Sequence, residues 1–276
     1  MLHDFIIEKH VKSALEEDIG FGDITTDFLA EAGDILSGAL NTREDGVLCG
    51  SQVFEKVFKV LSPAVQIKFY FKDGDSISKG DKIADINGPA RFILTGERTA
   101  LNYIQRLSGI ATETKKYQNA IGDYPAKIVD TRKTTPNFRM FEKYAVKTGG
   151  GNLHRFNLSD CAMIKDNHIR LAGSITKAVE KLRKNISHAH NIEVECDTLE
   201  QVKEALDCKA DIIMLDNMSI AQMSQACALI NKLAVVEASG NVNLNTVQEI
   251  AKTGVDIISS SAIVAKAPTL DLALDI

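Results

Sequence analysis

Three runs decide the fold: Ile192-Glu193-Val194-Glu195, then Ile212-Ile213-Met214-Leu215-Asp216-Asn217, then Val235-Val236-Glu237-Ala238-Ser239-Gly240. Each is short, largely apolar, and ends in charge or a turn residue. Residues 199–206 and 220–229 lie between them and place apolar side chains at helical spacing. Strand-like runs alternating with helix-like ones imply a parallel sheet. Near-continuous apolarity within the runs implies burial on both faces. Working outward, residues 127–130, 162–165 and 257–259 continue the strand pattern, and 137–146, 175–184 and 244–253 continue the helical one. Six strands are expected, with a short seventh at 152–156. A full eight-unit barrel needs about 250 residues, more than this part of the chain supplies. No Gly-x-Gly-x-x-Gly follows a strand, so a dinucleotide fold is disfavoured. The expectation is α/β: an open barrel of about seven strands over residues 111–267.

The first third has a different character. Residues 4–18 read as an amphipathic helix carrying Phe5, Ile6, Val11 and Leu15, ended by Gly20 and Gly22. Extended pieces are expected at 35–41, 46–49 and 65–71. Residues 72–88 alternate turn residues with isolated aliphatics, the mark of tight turns between short strands. A long helix is expected from about 93 to 119. Residues 1–110 are therefore read as an α+β sandwich domain, with 268–276 a candidate to join it.

Composition narrows the function. The chain has 276 residues, 45% hydrophobic and 25% charged, enough for sizeable cores. Lys plus Arg number 32 and Asp plus Glu 37, a net charge of −5. That balance disfavours a nucleic-acid or anionic-membrane partner. No apolar run has the length of a membrane span, and residues 1–12 do not read as a secretory signal. The five cysteines are scattered and form no C-x-x-C, which points to reduced thiols and a cytoplasmic protein.

The strand ends carry the chemistry. In α/β barrels the active site forms at the carboxyl ends of the strands. Here those ends read Asp130-Thr131-Arg132-Lys133, Lys165-Asp166-Asn167-His168, Glu193-Val194-Glu195, Asp216-Asn217, Glu237-Ala238-Ser239-Gly240 and Ser259-Ser260-Ser261. Charge inside apolar strands is costly unless paired or functional. Arg132, Lys133, Arg155 and Lys165, with His154 beside them, suit a small polyanion. Glu195 and Asp216 suit Mg²⁺ or sugar hydroxyls. Ser239-Gly240 can offer backbone N–H groups to a phosphate. A phosphorylated sugar is the substrate class these groups imply together. Plainer readings stand beside these. Asp130 can cap or pair with Arg132, Glu193 suits a structural ion pair, and His154 a structural histidine. Gly149–Gly151 is either a close backbone approach to a ligand or a flexible loop. Lys165 can be a Schiff-base lysine. Asp23, Thr25 and Thr26 read as turn and helix capping.

A set of motifs, in order over nearly the whole chain, resembles the quinolinate phosphoribosyltransferase family. They are Glu17-Asp18-Ile19-Gly20-Phe21-Gly22-Asp23-Ile24-Thr25-Thr26, Glu97-Arg98-Thr99-Ala100-Leu101-Asn102, Leu107-Ser108-Gly109-Ile110-Ala111-Thr112 and Asp130-Thr131-Arg132-Lys133-Thr134-Thr135-Pro136. Glu142-Lys143-Tyr144-Ala145-Val146 leads to Gly149-Gly150-Gly151-Asn152-Leu153-His154-Arg155, then Ile164-Lys165-Asp166-Asn167-His168 and Glu237-Ala238-Ser239-Gly240. The resemblance implies decarboxylating transfer of phosphoribose from phosphoribosyl pyrophosphate to quinolinate, with Mg²⁺, in de novo NAD biosynthesis. It also implies a homodimer with shared active sites, Arg98 reaching in from the partner. Carried over by position, Arg132, His154, Arg155 and Lys165 would line the quinolinate pocket and Lys133 would meet pyrophosphate. Glu195 and Asp216 would serve the ribose hydroxyls and the metal. Ser239 and Gly240 would lie at the 5-phosphate, with the Ser261 hydroxyl a candidate to replace a backbone contact there. Two departures stand out: Ser261 and Ala265 occupy places where the family usually has Gly and His, leaving Lys266 as the candidate to compensate. Asn241 replaces a frequent second Gly. Besides this reaction, the residues leave open a related pyridine or another phosphoribosyl acceptor, a non-catalytic anion-binding protein and a Lys165 aldolase.

Overall fold

The computed structural model describes residues 2–276. The chain falls into two compact units. The first takes the chain up to Lys115, Met140–Gly150 and Ala267–Ile276; the second takes Lys116–Arg139 and Gly151–Lys266.

In the first unit come α1 (Asp4–Ile19), α2 (Thr26–Leu29), β1 (Ile35–Thr42), β2 (Gly46–Val47), α3 (Ser51–Leu61), β3 (Gln66–Phe69), β4 (Ser76–Ile77) and β5 (Lys82–Pro89). The helix α4 (Ala90–Ile121) follows and runs on into the second unit. The elements of the second unit begin with β6 (Lys127–Val129). The helix α5 (Arg139–Thr148) then returns to the first unit, which differs from the expected single barrel stretch. The second unit resumes with β7 (Ala162–Ile164), α6 (Asp166–Ala172), α7 (Ile175–Asn185), β8 (Ile192–Cys196), α8 (Leu199–Asp207), β9 (Ile212–Asp216) and α9 (Ile220–Ile230). It ends with β10 (Val235–Ser239), α10 (Val247–Lys252), β11 (Ile257–Ser259) and α11 (Ala262–Ala265); β12 (Leu272–Asp275) belongs to the first unit.

The first unit is built on an antiparallel sheet in the order β12-β1-β5-β3, with β2-β4 as a separate pair. Alternation along β1 buries Leu40 and Thr42 while Ser37 and Ala39 lie less deep. The helix α3 was not expected, although Val53, Phe54, Val57 and Phe58 repeat at helical spacing and are all fully buried. Asp73 starts that helix: its carboxylate accepts the Gly50 and Ser51 N–H groups at 2.8 and 3.0 Å. Asp23 accepts the Thr25 and Thr26 N–H groups, the turn-capping role expected of it. Glycine 109 on α4 is a point of contact: a Cβ there would lie 1.9 Å from the Pro268 carbonyl oxygen. Gly149 ends α5 for the same kind of reason, a Cβ there lying 2.3 Å from the Ala111 carbonyl. The Gly149–Gly151 run is thus explained at its first residue by helix packing, without a ligand.

The second unit is a parallel sheet in the order β6-β11-β10-β9-β8-β7. Its first strand pairs with its last, the sign of a sheet curling toward closure. The ring opens between β6 and β7, which share no ladder among the described residues. The expected seventh strand is reduced to one parallel bridge, Val129 with Asn152. Helix starts here follow local chemistry. Thr198 with Gln201 and Ser219 with Gln222 form reciprocal capping boxes at α8 and α9. Among the described residues no helix is long and apolar enough to cross a membrane.

Candidate active site

A cavity of about 720 Å³ opens in the second unit, lined by the residues that follow its strands. Arg132, Lys133, His154, Arg155, Lys165, Glu195, Asp216, Ser239, Gly240 and Ser261 all contribute to its wall. Every expected site residue except Arg98 is therefore brought to one place. Arg98 stands exposed on α4 in the first unit.

The loop after β6 presents two cations. Thr131 Oγ1 accepts the Lys133 N–H at 3.0 Å and the Arg132 carbonyl accepts the Thr134 N–H at 3.0 Å. That tight turn leaves the Arg132 and Lys133 side chains exposed. Burial lowers the pKa of the Arg132 guanidinium, and the like charges of Arg155 and Arg139 lower it further. Three guanidiniums near enough to repel one another mark a place prepared for an anion. Arg155 is itself anchored, donating to the Cys161 carbonyl at 2.8 Å.

The cationic wall rests on buried acids. Asp130 is fully buried and accepts the backbone N–H of His154 at 2.8 Å, a capping contact of the kind expected as the alternative to pairing with Arg132. His154 Nε2 lies 3.5 Å from Glu193 and 3.4 Å from Glu237, both buried. Its Nδ1 accepts the Arg155 N–H at 2.7 Å. Burial pulls the ring toward neutrality, but the two carboxylates outweigh it and push its pKa up to about 10. Burial raises the Glu193 carboxyl as well. These three side chains also place metal-type donor atoms within 4.8 Å of one another. The structural ion pair expected of Glu193 is present, with His154 as its partner. Glu237 is the member that strand-end reading did not single out; its position two residues before Ser239 on β10 was the available signal.

Lys165 is ion-paired with Glu195 across β7 and β8. Engaged in that ion pair, Lys165 is not presented as a free nucleophile. Asp216 Oδ2 accepts the Asn217 Nδ2–H at 2.9 Å. Glu195 and Asp216 come from neighbouring strands and offer carboxylate oxygens. That donor set fits Mg²⁺, which takes one or two carboxylates together with substrate phosphates. Gly240 follows Ser239 with φ 91°, and a Cβ there would lie 2.2 Å from Asn217 Oδ1. Lys266 also lines the cavity, while Ala265 is exposed.

Comparison with known proteins agrees with the motifs. Residues 23–108 match the model of the quinolinate phosphoribosyl transferase N-terminal domain and residues 110–275 that of the C-terminal domain. A probable nicotinate-nucleotide pyrophosphorylase [carboxylating] of Synechocystis sp. is 45% identical over 276 residues, covering 98% of this chain and 92% of that protein. The Bacillus subtilis protein of the same description is 42% identical over 260 residues, covering 94% of this chain and 90% of its own. The crystal structure of NadC from Streptococcus pyogenes superposes with a TM-score of 0.97 at 42% identity, covering 100% of this chain and 98% of that one. The two domain models, the near full-length relatives and the shared fold together place this chain in the quinolinate phosphoribosyltransferase family.

Proposed function

We propose that the protein transfers phosphoribose from phosphoribosyl pyrophosphate to quinolinate with loss of CO₂, giving nicotinate mononucleotide and pyrophosphate for NAD biosynthesis. The observation that carries this is the convergence of Arg132, Arg155 and Lys165 with Glu195 and Asp216 on one cavity in a member of this family. Quinolinate carries two adjacent carboxylates, which Arg132, Arg155 and Lys165 are suited to hold. The His154 ring, fixed between Glu193 and Glu237, forms the wall behind them. The pyridine nitrogen attacks the anomeric carbon as the bond to pyrophosphate breaks. Lys133 stabilises the charge arriving on the leaving oxygens. Glu195 and Asp216 hold the ribose hydroxyls and favour positive character at the anomeric carbon. Ser239, Gly240 and Ser261 bind the 5-phosphate. After transfer the ring is a pyridinium, whose positive nitrogen stabilises the electron pair left on C2 as the 2-carboxylate departs as CO₂, and C2 then takes up a proton from water. No covalent nucleophile is required.

Mg²⁺ bound by Glu195 and Asp216 would neutralise phosphate charge. A homodimer is part of the reading, supported by the exposed Phe21, Ile24, Phe28 and Leu29 in the first unit. Arg98, exposed on α4, would serve the site of a second copy. A cytoplasmic location is supported by five free cysteines.

The test mixes purified protein with quinolinate, phosphoribosyl pyrophosphate and Mg²⁺ and follows nicotinate mononucleotide by absorbance. Product should require both substrates and the metal and should vanish in Lys133→Ala. Arg155→Ala should chiefly raise the KM for quinolinate. Folded protein without product, or full activity in both variants, would refute the assignment.

A further inference from the structure

Asn217 and Asn241 are uncharged, yet both line the cavity and both hold a left-handed backbone, each with φ 53°. Asn217 follows β9 and its N–H donates to the Ser239 carbonyl at 3.0 Å. Its side chain is committed at both ends. Nδ2 donates to Asp216 Oδ2 at 2.9 Å, and Oδ1 accepts from Asn241 Nδ2 at 3.1 Å. A carboxylate only accepts, so the Asn217 amide has one allowed orientation, which in turn fixes that of Asn241. Asn241 is also held through its backbone, whose carbonyl accepts from Asn243 Nδ2 at 3.2 Å. Glycine 240 makes the close approach possible: a Cβ there would collide with Asn217 Oδ1 at 2.2 Å and crowd its backbone nitrogen at 2.9 Å. A directed relay therefore runs from the turn after β10 to the carboxylate that ends β9.

We propose that Asn217 and Asn241 are positioning residues that couple residues 239–241 to Asp216. The set of the Asp216 carboxylate then depends on the conformation of the phosphate-side turn, and the two halves of the phosphoribosyl pyrophosphate site are organised together. This inference rests on reading the cavity as that site. Neither asparagine needs to touch the substrate to matter. The relay spans two adjacent strands, so it can transmit a small displacement of the turn to the carboxylate without moving the sheet.

The test is a double-mutant cycle on phosphoribosyl pyrophosphate binding, measured by titration calorimetry with Mg²⁺ and without quinolinate, so that no turnover occurs. Asn241→Gly removes the donor and tolerates the left-handed backbone, which keeps the fold. It should weaken binding about fivefold, the loss of one neutral hydrogen bond. The quinolinate KM should be unchanged, and the variant should remain folded at the assay temperature. In an Asp216→Ala background the same substitution should change binding less than twofold, because its effect passes through Asp216. The Mg²⁺ concentration giving half-maximal rate should rise in Asn241→Gly. Equal losses in both backgrounds would show direct action on the phosphate and overturn the proposal, as would unchanged binding in Asn241→Gly or an unchanged Mg²⁺ requirement. Wild-type protein that binds no phosphoribosyl pyrophosphate would overturn the functional reading and this inference together. Binding by wild type with no effect of the substitution overturns this inference alone.

Discussion

Replacing Glu237 by Gln probes the most unusual electrostatic feature of the molecule. His154 Nε2 is flanked by two buried carboxylates that lift its pKa to about 10 against the burial that opposes it. With Nδ1 accepting the Arg155 N–H, the extra proton is a property of the cluster of His154, Glu193 and Glu237 as a whole. An unfolded histidine releases its proton near pH 6.5. Between that pH and about 10 the folded protein holds more protons than the unfolded chain, so stability falls as pH rises. The contribution is complete below pH 6.5 and gone above about 10. The steepest slope is about 1.4 kcal/mol per pH unit, or roughly 3 kcal/mol from pH 7 to 9. Glutamine keeps the shape of Glu237 and removes one of the two charges, so the cluster gives up its proton at lower pH and the fall ends sooner. The advantage of wild type over Glu237→Gln should therefore shrink by about 1–2 kcal/mol between pH 7 and 9. Urea denaturation at pH 7, 8 and 9 measures it. Stability curves that run parallel over this range would refute the hold of the two carboxylates on that proton.

Gly109→Ala would force a methyl against the Pro268 carbonyl and part α4 from the segment before β12. The expected cost is about 1–3 kcal/mol, seen as a melting point lowered by several degrees; an unchanged value refutes the close contact. Asp73→Ala would strip the acceptor from the Gly50 and Ser51 N–H groups and from the Tyr144 hydroxyl. A loss of about 2 kcal/mol is expected in chemical denaturation, and Tyr144→Phe should account for no more than half of it. Because the cavity is lined by Arg132, Lys133, Arg155 and Lys165, the KM values for both anionic substrates should rise with added KCl. KM values flat from 50 to 300 mM would argue against a charge-based pocket.

Much of the barrel unit was legible because apolar runs and strand-end charges are local patterns. The runs at 192–195, 212–217 and 235–240 become β8, β9 and β10 within a residue or two. The seventh strand was over-read: Asn152 makes a single bridge, since Asp130 draws the next residues off the sheet through the His154 N–H. The helix α3 was missed although its spacing was visible, because short extended pieces surround it. Gly109 and Gly149 owe their identity to contacts with the 268–269 segment and with Ala111. No local pattern announces such contacts. Asn217 and Asn241 carry no charge, so a search for charged strand ends passes over them, and their relay exists only once two strands lie side by side.

The pairing of β12 with β1 has a consequence for how the protein is made. Leu40 lies opposite Leu274, and Asn41 bonds Asp275 across 234 residues of chain. The whole of the second unit is synthesised between those two strands. The ribosome must therefore release the barrel before the sandwich can receive its edge strand. During elongation β1 waits with one edge unpaired, a template for wrong strands, while the later unit can already fold. Slow translation just ahead of β12 would lengthen that exposure. In this protein the domain that begins first is completed last.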